Sequence, residues 1–105
     1  MAWPFSSAAA PTFDTGFVAM PQGAAPQNPA GVADGTQYWV MGANFANSGA
    51  DDEFITLTDG SGNPVIPSLL IPANGVRSLE WAFMPITGLR WQATGPVIGK
   101  VWGYQ

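Results

Sequence analysis

The sequence predicts an all-β chain, a small antiparallel β-sandwich or barrel over residues 36–105 with an extended N-terminal arm over residues 1–35. Three observations carry this prediction. From Thr36 onward apolar and polar residues alternate with a period of two. Turn-forming clusters of Gly, Asn, Asp and Pro recur about every 8–12 residues, the spacing of antiparallel sandwiches. No stretch sustains the 3.6-residue period of an amphipathic helix.

The arm is predicted from its prolines. Pro4, Pro11, Pro21, Pro26 and Pro29 recur too closely for a helix to propagate, and each removes a donor from any strand ladder. Extended or polyproline-like chain is the expected conformation. Large apolar side chains punctuate it, and Trp3, Phe5, Phe13, Phe17 and Met20 read as contact residues for a partner. A free tail carrying Trp and Phe would expose apolar surface at about 25 cal/mol per Å², so Trp3 and Phe5 are expected to fold back or to dock elsewhere.

The β domain opens with "TQYWVMGANFANSG". Here Trp39, Met41, Ala43 and Phe45 read as the inner face, and Tyr38, Val40, Gly42 and Asn44 as the outer. A strand over Glu53 to Thr58 directs Ile55 and Leu57 inward and ends at the turn "DGSGNP". Pro64 and Pro67 mark the next segment as an edge strand. Asn74–Gly75 is a turn, because both residues tolerate positive φ. Leu79, Trp81 and Phe83 then alternate inward, followed by Leu89, Trp91 and Ala93. The run "PVIGKVWGYQ" forms the last strand, with Ile98, Lys100, Trp102 and Tyr104 on one face. Tyr38, Trp102 and Tyr104 are the candidates for a surface that binds a ligand or another protein.

Composition narrows the function. The chain has 105 residues, enough for one domain with a modest core. Only 10% of residues are charged, against a usual quarter, which favours association with itself or a partner. Net charge is −4, and the three basic residues, Arg77, Arg90 and Lys100, are scattered. Nucleic-acid binding needs clustered cations to displace phosphate counterions, so neither that nor an anionic membrane is an expected partner. No window resembles a membrane span, and the opening "MAWPFSSAAAPTF" lacks the basic and continuous apolar regions of a signal peptide.

Chemistry finds few candidates. With neither Cys nor His, the chain has no thiol nucleophile, no imidazole base and none of the usual zinc or iron ligands. The serines lack a histidine, and the glycine-rich pieces lack the GK[ST] ending that cradles phosphate. Asp51, Asp52 and Glu53 cluster with no acid–base partner, and read as a solvated strand end. "DGSGN" spaces Asp59, Ser61 and Asn63 like the start of a calcium loop. Its sixth position is Pro64 and its twelfth Leu70, where glycine and glutamate would be needed. Weak calcium binding by Asp51 and Asp52 stays open. No catalytic residue, cofactor or metal ligand is assigned.

The stretch "ITLTDGSGNPVIPSLLIPANGVRSLEWAFMPITGLRWQATG" resembles the small β-sandwich proteins of tailed bacteriophages. Asp59, Gly62, Gly88, Leu89, Ala93 and Gly95 carry the likeness, which covers about residues 54–105. In scale, and in pairing an extended arm with a compact β domain, the chain is similar to capsid decoration (cement) proteins. The resemblance implies a non-enzymatic role in the virion, made in the host cytoplasm and bound to the major capsid protein and to copies of itself. A homo-oligomer is expected on that basis, with a trimer the form it suggests. The alternative is a carbohydrate- or receptor-binding module of a phage tail or fibre. There Tyr38, Trp102 or Tyr104 would stack on sugar rings, and Asp51, Asp52 or Glu53 would accept hydroxyl hydrogen bonds.

Overall fold

A computed structural model describes residues 12–23 and 25–105. Trp3 and Phe5 lie outside the described residues. The strands, in chain order, are β1 (Thr12–Asp14), β2 (Val18–Ala19), β3 (Gln37–Asn47), β4 (Glu53–Thr58), β5 (Pro64–Ile71), β6 (Gly75–Thr87), β7 (Arg90–Ala93) and β8 (Val97–Tyr104). No helix occurs among the described residues. One sheet has the order β1-β8-β3-β6, with β2 also on β8, and the other has the order β5-β4-β7. Every pair of strands is antiparallel. The two sheets enclose a core of Val40, Ala43, Phe45, Ile55, Leu57, Ile71, Leu89, Trp91, Val97 and Val101.

Several elements form as their residues dictate. β4 buries Ile55 and Leu57, and Leu89, Trp91 and Ala93 are buried as alternation requires. Pro64 and Pro67 sit in β5, which is the edge of the smaller sheet, where a missing N–H costs no ladder bond. The 72–75 turn carries Asn74 at φ 55 and closes with the Gly75 N–H donating to the Pro72 carbonyl at 2.9 Å. Leu79 and Trp81 pack half-buried against the core.

β3 departs from the expected alternation. Its register with both neighbours shifts between Val40 and Gly42, so Met41 is an extra residue. A bulge of this kind reverses the facing of everything before it. Ala43 and Phe45 face inward as expected, but before the bulge the inward residues are Tyr38 and Val40, and Trp39 is turned out, 41% exposed. Tyr38 is therefore not a surface residue. It is 1% exposed, its ring packs on Phe13 with centroids 4.8 Å apart, and its hydroxyl accepts the Ala33 N–H at 2.9 Å.

The described part of the expected arm is also placed differently. Residues 12–23 and 25–35 lie against the sandwich. β1 and β2 pair with β8 through Thr12↔Tyr104, Asp14↔Trp102 and Val18↔Gly99. Between them one extra residue bulges at Gly16 (φ 66), and the Val101 N–H donates to Thr15 Oγ1. The ladder ends with the Met20 N–H on the Val97 carbonyl, after which the chain crosses to β7. There the Ala93 N–H donates to the Pro21 carbonyl, the Gly23 N–H to the Ala93 carbonyl, and Gln27 and Trp91 exchange both bonds. Proline forbids a central strand but not this arrangement, because the donors needed belong to Gly23 and Gln27 while Pro21 only accepts. Met20, expected to face a partner, lies in the core at 2% exposure, and Phe13 is half-buried against it.

Met20→Ala should therefore lower global stability by about 2–4 kcal/mol, the range for a buried Met truncated in a packed core. Urea denaturation followed by Trp fluorescence measures it. An unchanged midpoint would mean that the segment rides on the fold without being part of it.

Candidate functional site

Inward residues fill the core, so surface chemistry belongs to the outward faces. On the larger sheet the registers arrange the outward side chains in rows. One row holds Thr12, Tyr104, Trp39 and Pro85; the next holds Asp14, Trp102, Gly42 and Glu80. Beyond them lie Lys100, Asn44 and Ser78, then Ala19, Ile98, Ala46 and Val76. Phe17, from the connection between β1 and β2, adjoins Lys100, whose ammonium stands 5.8 Å from the Phe17 ring centroid and 5.5 Å from that of Trp102. Both distances lie within cation–π range. Asp14 Oδ2 pairs with the same ammonium at 3.3 Å.

The indole of Trp102 is held flat by its cross-strand neighbour. A Cβ on Gly42 would collide with the six-membered ring of Trp102, so the ring lies directly on the Gly42 backbone. A bare strand glycine is thereby covered and a large aromatic plane is presented along the sheet. Phe17 (53%), Trp39 and Ile98 (44%) are exposed here, while Trp102, Tyr104 and Lys100 are half-buried. The rows contain only three formal charges, Asp14, Glu80 and Lys100, and two of these form an ion pair. The result is an apolar, charge-poor face suited to contact with another surface and shaped for no deep ligand.

Of the residues expected at a site, Trp102 and Tyr104 lie here together and Tyr38 does not. Phe17 joins them from the segment read as an arm, while Phe13 and Met20 point into the protein. Trp39 was missed because its facing depends on the bulge at Met41.

The carboxylates hold loops together. Asp34 receives Arg90 through two bonds, Nε to Oδ1 at 3.1 Å and Nη2 to Oδ2 at 2.7 Å, and also accepts from Asn28 Nδ2 at 2.7 Å. Asn28 Nδ2 also donates to the Leu89 carbonyl, which ties the 28–36 loop to the start of β7. These bonds, the Arg90 guanidinium first and Asn28 second, pull the Asp34 carboxyl from 3.8 to about 2. Asp59 accepts from the N–H groups of Asn63 and Ser61, organising the β4–β5 turn, and its carboxyl is held below the ordinary value, chiefly by Asn63. Asp52 accepts the Ala73 N–H, and Glu53 accepts the Thr94 hydroxyl. Buried Asn47 donates to the Asp51 and Ile71 carbonyls and accepts from Gly49. Among the described residues no three acidic side chains converge as metal ligands would.

Comparison with protein-family models, with curated proteins and with solved structures finds no match for this chain.

The Asp34–Arg90 clasp gives a pH signature. A carboxyl whose pKa is lower folded than unfolded stabilises the fold above the unfolded value, and that contribution is lost as pH falls through the folded one. Stability should thus decline between pH 3.8 and about 2 through this group. Melting temperatures across that window should show a shallower acid limb in Asp34→Asn than in the unmodified chain. Parallel limbs would show that the clasp adds nothing to folding.

Proposed function

We propose that the protein is a non-enzymatic structural component that docks onto a larger assembly through the outer face of its larger sheet. In its most specific form this reading makes it a decoration protein on a bacteriophage capsid. The observation that carries it is the face itself, where Trp39, Trp102, Tyr104, Phe17 and Ile98 cluster with few charges in a chain of net charge −4. Aromatic anchors in a charge-depleted patch are the composition of protein–protein interface centres. The carboxylates above support a non-enzymatic role, since their bonds run to turns and loops.

The virion setting and the capsid as partner rest on the resemblance carried by Asp59, Gly62, Gly88, Leu89, Ala93 and Gly95. The homo-oligomeric state, with a trimer as its suggested form, rests on the same likeness.

A second reading is favoured by one specific feature. Trp39, Trp102 and Tyr104 form an aromatic row beside the polar side chains of Asn44, Ser78 and Glu80, an arrangement that also suits stacking of sugar rings. A flat glycan platform on a tail or fibre would use the same face.

Trp39→Ala distinguishes these readings with little risk to the fold, because Trp39 is exposed and covers no glycine. Loss of an interface anchor should reduce binding by roughly thirtyfold, the equivalent of about 2 kcal/mol. Occupancy of purified phage shells, read by gel densitometry against added protein, should fall by that factor in Trp39→Ala with the melting temperature unchanged. Undiminished occupancy sinks the docking face. Glycan-array binding that disappears in the same variant would move the assignment to the second reading.

A further inference from the structure

The segment Thr12–Met20 fits its site as an insert fits a slot. On β8 the inward positions alternate as Val97, Gly99, Val101 and Gly103, all buried. The two glycines are sockets. A Cβ on Gly99 would stand 3.0 Å from Met20 Sδ and 3.0 Å from the Trp91 ring, and one on Gly103 would collide first with the Trp39 carbonyl of β3 and stand 3.0 Å from Phe13 Cε1. Met20 therefore occupies space that Gly99 leaves free, Phe13 lies against Gly103, where the β3 backbone also excludes a side chain, and the β8 backbone pairs with Thr12–Asp14 and Val18–Ala19 on either side of the bulge.

Among the described residues the opposite flank of the segment is open. A cavity of about 300 Å³ lies between Val18, Met20 and Pro21 on one side and Gln27, Pro29 and Trp91 on the other. A second, of about 280 Å³, separates Thr12, Asp14 and Thr15 from Ala30 and Val32. The link to the body is thin. Pro21, Gly23 (φ 68) and Gln27 bond to β7, while Ala25 and Pro26 make no backbone bond to it. Nothing needs to be threaded for the segment to leave, because it is an edge strand held by one neighbour, β8.

From this geometry we infer that Thr12–Met20 is an exchangeable strand, and that its partner on exchange is the β8 edge of a second copy of this chain. The same bonds and the same seats for Met20 and Phe13 are used within one chain or between two, so concentration and the hinge at Ala25 and Pro26 set the balance. Exchange would link copies edge to edge and leave the outer face of the larger sheet free. Asp14 and Phe17 of that face would then come from the second copy.

The chain lacks cysteine, so introduced thiols report pairing directly. Ala19 and Ile98 are cross-strand partners, both exposed, at a separation that a disulfide can bridge. The Ala19→Cys/Ile98→Cys double variant should close within one chain at micromolar concentration and yield interchain species at millimolar concentration. Ala19→Cys and Ile98→Cys single variants, mixed at millimolar concentration and then oxidised, should give the 19–98 heterodimer. Its yield should exceed a control pairing Ala19→Cys with Val76→Cys by roughly tenfold, since Val76 lies three strands from Ala19 in the same row. Mass spectrometry of the linked peptides reads both. Purely intrachain closure at every concentration, with no heterodimer above the control, overturns the proposal. A measurement without substitutions guards against misfolded variants. Dimer isolated from concentrated unmodified protein should return to monomer slowly on dilution, because a strand must be released. Immediate return, or no dimer at all, overturns the proposal equally.

Discussion

Every open sheet ends in two rows of backbone donors and acceptors that need partners, and in a two-layer structure of this size those edges are most of the perimeter. Here one side of the sandwich is closed by a single continuous stretch. Residues 12–20 line β8 of the larger sheet, and residues 21–27 pass to β7 of the smaller one, following the corner where β7 turns into β8. The core depends on this closure. Trp91 lies beneath the crossing, bonded to Gln27, and the Tyr38 ring is covered by Phe13. The opposite side is managed by chemistry, with Pro64 and Pro67 in β5, and Pro85 with the irregular register of β6 in the larger sheet.

Much of this architecture was legible from residues alone. Ile55 and Leu57, then Leu89, Trp91 and Ala93, alternate regularly because the register shifts beside β4 place their extra residues in β5, and their burial follows directly. Three features were not legible, for different physical reasons. The bulge at Met41 adds a residue without altering the hydropathy pattern, since Tyr38, Trp39, Val40 and Met41 are all apolar or aromatic. Either phase is compatible with them, and only pairing to β6 and β8 selects one. The pairing of Thr12–Asp14 and Val18–Ala19 with β8 was not legible because proline content argues against a strand ladder, and a chain that pairs along only one side escapes that argument. Asn47 is a third case. A single buried amide holding the 48–52 loop has no periodic signature.

The same bulge that buries Tyr38 exposes Trp39, so the apolar character of the outer face is a by-product of how β3 meets its neighbours. Gly42, directly after the bulge, gives Trp102 a flat seat. Charge is distributed to match. Asp34, Asp51, Asp52, Glu53 and Asp59 all lie at turns, loops or a strand end, which keeps the ends of the sandwich hydrated and leaves the broad face nearly neutral. Lys100 is its one cation among the described residues, held between two rings and a carboxylate, and it tempers the face without making it basic.

The pairing of Thr12 with Tyr104 has a consequence for synthesis. On a ribosome adding ~5–20 residues per second, the first described strand emerges on the order of ten seconds before the last. Through that interval Phe13 and Met20 have no socket, and the nascent chain carries an unsatisfied strand. Neighbouring ribosomes on one message hold other such chains close by, at similar stages. Whether a strand finds its own β8 or another's is then decided partly by the spacing of ribosomes, before any finished protein meets another in solution.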